Sequence, residues 1–130
     1  MTIPMLRGSA YEGIFVEPFV TFATALTASA VGKAVKPSSG YTVGTGIAVA
    51  LVEDGNQISG RYTRYEHDGM SSVQERGYCW LPFVAGATPT VGQKVIGGTT
   101  DGAIKTDNST GRHLCYSIDG TNLLALVRLD

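Results

Sequence analysis

Residues 72–101 read SVQERGYCWLPFVAGATPTVGQKVIGGTTD, and the fold turns on them. Successive side chains of a strand point to opposite faces. Val73, Glu75, Gly77, Cys79, Leu81 and Phe83 would therefore share one face of a long strand. Gln74, Arg76, Tyr78, Trp80, Pro82 and Val84 would share the other. From Cys79 onward both faces are apolar or aromatic, which predicts a strand covered twice. One cover is the opposite layer of its own domain; the other is a loop, the N-terminal arm or a partner chain. Pro82 has no N–H to donate, which places an edge or a bulge there. A turn rich in Pro and Gly follows, then a second strand over residues 91–96.

The same alternation recurs on both sides. Residues 47–52 (IAVALV) are apolar on both faces and predict a central strand, and Asp54-Gly55-Asn56 predicts a tight reversal. Strands are expected over residues 31–36 and 58–65, the first ended by the turn Pro37-Ser38-Ser39-Gly40. Residues 19–31 fit a strand to about Leu26 and then a turn, because their threonines and serine weaken a helix. Residues 97–112 read as a loop interrupted by Ala103-Ile104-Lys105. A hairpin around Asp119-Gly120 closes the chain, with a largely interior last strand over residues 122–129.

An internal echo accompanies these strands. Val31-Gly32-x-x-Val35 matches Val91-Gly92-x-x-Val95, and each is followed by a Gly-containing turn, a short apolar strand and an Asp-Gly reversal, Asp54-Gly55 or Asp119-Gly120. Two similar β-motifs packed together would produce this pattern, as would chance in a Gly-rich β protein. The expected class is all-β: a compact β-barrel or β-sandwich of residues 19–130 with an extended arm of residues 1–18. The arm carries Tyr11, Ile14, Phe15 and Val16, which suit docking on its own domain or on a neighbour.

Charge narrows the function. Only 16% of the 130 residues are charged, and ten basic against eleven acidic side chains leave a formal net charge of -1. No basic cluster marks a nucleic-acid surface. A signal peptide and a membrane span are likewise not expected. Cys79 and Cys115 are expected as buried free thiols.

Chemistry finds few footholds. His67 sits in a polar loop between Glu66 and Asp68. His113-x-Cys115 puts two metal-ligand types on one strand face, without the close Cys/His pairs at turns that zinc sites use. Asp101, Asp107 and Asp119 fall in turns and fit Asx-type capping. No phosphate loop or dinucleotide motif is present. No catalytic residue, metal ligand or cofactor is therefore expected. The rings Tyr62, Tyr65, Tyr78 and Trp80, flanked by Arg61, Arg64 and Arg76, suit a protein interface, because Trp, Tyr and Arg dominate hot spots. The interface expected is Tyr11, Ile14, Phe15, Val16, Arg61, Tyr62, Arg64, Tyr78 and Trp80. Tyr62, Tyr78 and Trp80 equally suit a carbohydrate-binding or adhesin module.

Gly46-Ile47-Ala48-Val49-Ala50-Leu51-Val52-Glu53-Asp54-Gly55, Val91-Gly92-Gln93-Lys94-Val95, Gly102-Ala103-Ile104 and the closing Leu126-Val127-Arg128-Leu129 resemble the small capsid decoration, or cement, proteins of tailed bacteriophages. The resemblance covers roughly residues 31–130 and is poorest over the arm. It implies a virion structural protein, made in the host cytoplasm, that binds the outside of an icosahedral shell at junctions of the major capsid protein. It further implies a homodimer or homotrimer and no catalytic residues. Another head or tail component of a virion is the alternative within structural proteins.

Overall fold

The computed structural model describes residues 15–16, 21–24, 26–38, 48–65 and 70–129. Its strands are β1 (Phe15–Val16), β2 (Thr21–Thr24), β3 (Ala34–Pro37), β4 (Ala48–Leu51), β5 (Gly60–Tyr65), β6 (Met70–Gln74), β7 (Arg76–Pro82), β8 (Lys94–Gly97), β9 (Ile104–Thr106), β10 (His113–Asp119) and β11 (Leu124–Leu129). The one helical turn described is a 3-10 turn at Ala28–Ala30. The all-β class expected from the alternation is the class observed.

The strands form two sheets. In the first, hydrogen bonding runs β2–β4–β3–β5–β6 and returns to β2, a closed circuit in which only the β2–β4 pair is parallel. The second runs β1–β7–β11–β10–β8–β9 and is antiparallel throughout. One parallel bridge, Phe83 to Ile104, joins the residue after β7 to β9.

The single long strand expected over residues 73–84 is instead two strands in different sheets. The chain passes from β6 to β7 through Glu75, and Gly77 adopts φ +93°. Gln74 is buried, and its amide Nε2 donates to the carbonyls of Arg76 (2.8 Å) and Tyr78 (3.1 Å). Those bonds draw the start of β7 back across the end of β6. The double cover expected from Cys79 onward is also incomplete. Cys79, Leu81 and Phe83 are interior, but Trp80 on the other face remains 39% exposed.

The echo in the sequence is a repeated architecture. Strands β2 to β6 and β7 to β11 pair in one shared order, and their registers superpose. Val35 pairs with Gly60 and Leu51 in the first unit, as Val95 does with His113 and Thr106 in the second. Both hairpins, β5–β6 and β10–β11, carry a register shift at the same place, after Tyr62 and after Cys115. The parallel contact Thr24–Val49 corresponds to Phe83–Ile104. Even the entry turns match: Gly32 N–H donates to Tyr62 O and Gly92 N–H to Cys115 O, with φ of +91° and +88° at the two glycines. Only glycine holds that conformation cheaply. Equivalent positions Val35 and Val95, Val49 and Ile104, Tyr62 and Cys115, and Val73 and Val127 are all buried. The Asp-Gly part of the echo is corrected. Asp54-Gly55 joins β4 to β5, whereas Asp119-Gly120 joins β10 to β11, so these turns are not equivalent.

The units are fused through backbone. Ala34 N–H donates to Gly102 O and Gly102 N–H to Val52 O; Gly55 N–H donates to Gly97 O and Gly97 N–H to Asn56 O. Ala34, Val52 and Ile58 from the first half join the core of the second, beside Cys79, Leu81, Phe83, Val95, Ile104 and Val127. A methyl at Gly97 would overlap the Glu53 carbonyl oxygen and sit 3.2 Å from Asn56 O and from Val52 Cβ. Gly86 has φ +89° with open space around it. Gly97→Ala is therefore expected to cost about 3 kcal/mol through overpacking, against about 1 kcal/mol for the backbone strain of Gly86→Ala. Urea unfolding of the two variants measures the difference.

Candidate functional site

On the outer face of the second unit Trp80, Leu114 and Tyr116 meet solvent together, whereas Val31, Val91 and Leu123 are exposed singly in turns. Alternation along β7, β10 and β11 turns Cys79, Leu81, Cys115, Ala125, Val127 and Leu129 inward. It leaves Tyr78, Trp80, Leu114, Tyr116, Leu126 and Arg128 outward. Trp80 lies opposite Leu126, Tyr78 opposite Arg128, and Arg128 opposite Leu114. Cross-strand neighbours on one face touch, so these six form one surface. The Tyr78 and Tyr116 rings stand edge to face, with centroids 5.3 Å apart at 78°. Arg128 Nη1 donates to Tyr116 Oη at 3.4 Å. Tyr116 is 41% exposed and Leu114 36%. The sheet thus presents three aromatic rings and an aliphatic pair on one face.

Of the interface residues expected from the sequence, Tyr78 and Trp80 lie on this face. Tyr62 does not: it is 0% exposed and fills the first unit's core with Val35, Val49 and Val73. Its place is that of the small Cys115 in the second unit, and the ring supplies the volume there. The glycan platform expected from Tyr62, Tyr78 and Trp80 loses that ring for the same reason. Arg61 is half-buried, and its Nε donates to Trp80 O at 3.1 Å, bracing the strand beneath the face. Arg64 is exposed on β5. Phe15 and Val16 form β1, paired with Gly77 and Arg76 of their own chain. Tyr11 and Ile14 lie outside the described residues, as does His67. Leu114, Tyr116, Leu126 and Arg128 were missing from the sequence reading. Their signal was the His113–Cys115 alternation, which turns Leu114 and Tyr116 out once Cys115 is in.

A second concavity, a cleft of about 330 Å³, lies between the units and is lined by Ile58, Ser59, Glu75, Arg76, Arg112 and His113. Two of its polar side chains are already engaged. Ser59 Oγ donates to Val35 O at 3.1 Å, and His113 Nε2 sits 2.9 Å from Ile58 O. No base stands against the Ser59 hydroxyl in these bonds, so they do not assemble a nucleophile of the kind acyl transfer needs. Among the described residues no three of His, Cys, Asp and Glu group closely enough to hold a metal ion. Cys79 and Cys115 are free and buried. Burial pushes the Cys79 thiol up to about 12, against a smaller opposing pull from Arg61, and raises that of Cys115. Both are therefore protonated and poor nucleophiles at neutral pH.

Asp107 and Asp119 cap turns, as their sequence setting predicts. Asp107 accepts from the backbone N–H groups of Ser109 and Thr110 and from the Thr110 hydroxyl. Asp119 accepts from Thr121 N–H, Asn122 N–H and Asn122 Nδ2. Bonds from Thr110 hold the Asp107 carboxyl below the usual carboxylate range, and bonds from Asn122 do so for Asp119.

Compared with protein-family models, with curated proteins and with solved structures, the chain matches none.

A carboxylate with a lowered folded pKa stabilises the fold above its unfolded pKa, and that contribution is lost as pH falls through the folded value. The stability gap between the native chain and Asp119→Ala should be full above about pH 5 and narrow on acidification below the ordinary carboxylate pKa of about 3.9. Urea midpoints across that range test it.

Proposed function

We propose that this chain is a non-enzymatic virion structural protein that binds the outer surface of an icosahedral capsid, at junctions between major capsid subunits, and stabilises the shell. The observation that carries the reading is the open face of Trp80, Tyr116, Tyr78, Leu114 and Leu126 on a rigid sheet. Large exposed apolar patches on a folded protein mark surfaces built for contact. Aromatic anchors beside an arginine have the composition of interface hot spots. The order of elements and the Gly/Val punctuation that resemble phage decoration proteins support a capsid as the partner.

The energetics suit such a role. A protein that binds assembled shell and not free subunits shifts the equilibrium toward assembly by linkage. A homodimer or homotrimer engaging several subunits at once gains avidity of roughly 10²–10⁴-fold without any new kind of contact. The fused pair of β units gives a stiff body, so little ordering entropy is lost when the face docks. A carbohydrate-binding module is the second reading, favoured by the exposed Trp80 and Tyr116 rings beside the half-buried Tyr78.

Shells isolated from the source particle, stripped of this chain and mixed with purified protein, provide the test by co-sedimentation. Trp80→Ala and Tyr116→Ala should each weaken shell binding by about 2 kcal/mol or more, roughly thirtyfold, with the thermal midpoint nearly unchanged. Val31→Ser, at an exposed site in the first unit, should bind as the native chain does. Native-like binding by both aromatic variants would remove the reading. A shift of Trp80 emission on a glycan panel, without shell binding, would favour the second one.

A further inference from the structure

Three charged side chains around the cleft between the units have no partner. Of its lining residues Ile58 and His113 are buried, Ser59 and Glu75 half-buried, and Arg76 and Arg112 exposed. Each arginine springs from a strand end whose backbone is fixed. Arg76 opens β7 and pairs with Val16 of β1, and its carbonyl accepts from the Gln74 amide. Arg112 leads into β10, immediately before His113, which pairs with Val95 and whose Nε2 lies 2.9 Å from Ile58 O.

Other cations of the chain are matched. Lys36 Nζ lies 3.3 Å from Glu53 Oε1, and Lys105 Nζ lies 2.5 Å from Asp54 Oδ1 across the junction. Around the cleft the charges are unmatched: among the described residues Arg76, Arg112 and Glu75 make no ion pair and no side-chain hydrogen bond. Two guanidinium groups against one carboxylate leave a single positive charge in excess. A guanidinium presents a planar fork of donors that suits a carboxylate. One carboxylate would cancel the excess, whereas a phosphate monoester, with nearly two negative charges, would overshoot it beside Glu75. Glu75 can only accept, so it calls for a donor on the same ligand. The cleft of about 330 Å³ has room for about ten waters. A sugar ring fills such a space and a bare oxyanion does not.

We propose that this cleft binds a small sugar acid, its carboxylate taken by Arg76 and Arg112 and a ring hydroxyl donating to Glu75. The site shares no residue with the open face of Trp80 and Tyr116, so it is independent of shell docking.

Titration of the nitrogen-15-labelled full chain with sodium glucuronate at constant ionic strength, followed by NMR, tests the site. A ligand of this size should bind with a Kd of about 1 mM, shifting the amide signals of Ser59, Glu75, Arg76, Arg112 and His113. Glucose lacks the carboxylate and acetate lacks the hydroxyls, so each should bind about tenfold more weakly or worse. Arg76→Gln and Arg112→Gln should each weaken glucuronate binding about tenfold or more, with the thermal midpoint little changed because both sites are exposed. Glu75→Ala should erase most of the advantage of glucuronate over acetate, and Trp80→Ala should leave binding as it is. A methyl glycoside of glucuronate that binds equally well would assign the site to the acidic end of a glycan, and one that is excluded would assign it to the free acid. No shift at the cleft in about 10 mM glucuronate, ten times the expected Kd, overturns the proposal. Equal shifts with acetate, or binding lost in Trp80→Ala and kept in both arginine variants, also overturn it.

Discussion

Satisfaction of strand edges is the constraint from which the rest of this structure follows. An unpaired edge leaves backbone N–H and C=O groups without partners. The first unit abolishes its edges by closing β2 onto β4 in parallel. The second unit makes the same closure with only the Phe83–Ile104 bridge, which leaves the carbonyls of Tyr78 and Trp80 on β7 to be met some other way. They are met by Gln74 and Arg61, side chains from the outer face of the first unit. Edge satisfaction thus locks the two units together, and it explains why a polar Gln74 is buried. It also fixes β7 with Trp80 facing outward.

The repeat shows how one architecture tolerates different fillings. Tyr62 occupies in the first core the position that Cys115 occupies in the second. The second unit makes up the volume with Leu81, Phe83 and with Ala34, Val52 and Ile58 from across the junction. Interiors must be filled to near crystal density, and here the filling is redistributed between large residues and shared ones. The consequence for function is asymmetry. Among the described residues, the first unit's outward pair Arg61 and Gln74 is spent on the junction, whereas the matching face of the second unit is open to another molecule.

Much of this was legible in the sequence because it is local. Period-two alternation located most of the strands, Asp107 and Asp119 declared their turns, and Val-Gly-x-x-Val marked both entry turns. What was not legible depends on which strand lies beside which. Tyr62 carries the same local pattern as Tyr78, and only the sheet pairing sends one ring inward and the other outward. The break at Glu75 escaped notice because residues 73–84 alternate without interruption; the change of sheet comes from Gly77 and from long-range use of the Gln74 amide. Tyr116 follows outward by alternation once the pairing has put Cys115 inside.

The role proposed for this chain is defined by where it touches. Site-specific photo-crosslinking gives the most direct reading, with a benzophenone side chain at position 116 on the open face and, separately, at position 31 on the first unit. Bound to shells, the chain should form an adduct with the major capsid protein from position 116 and not from position 31. Adducts from position 31 alone, or from neither position despite saturating shell, would contradict the account.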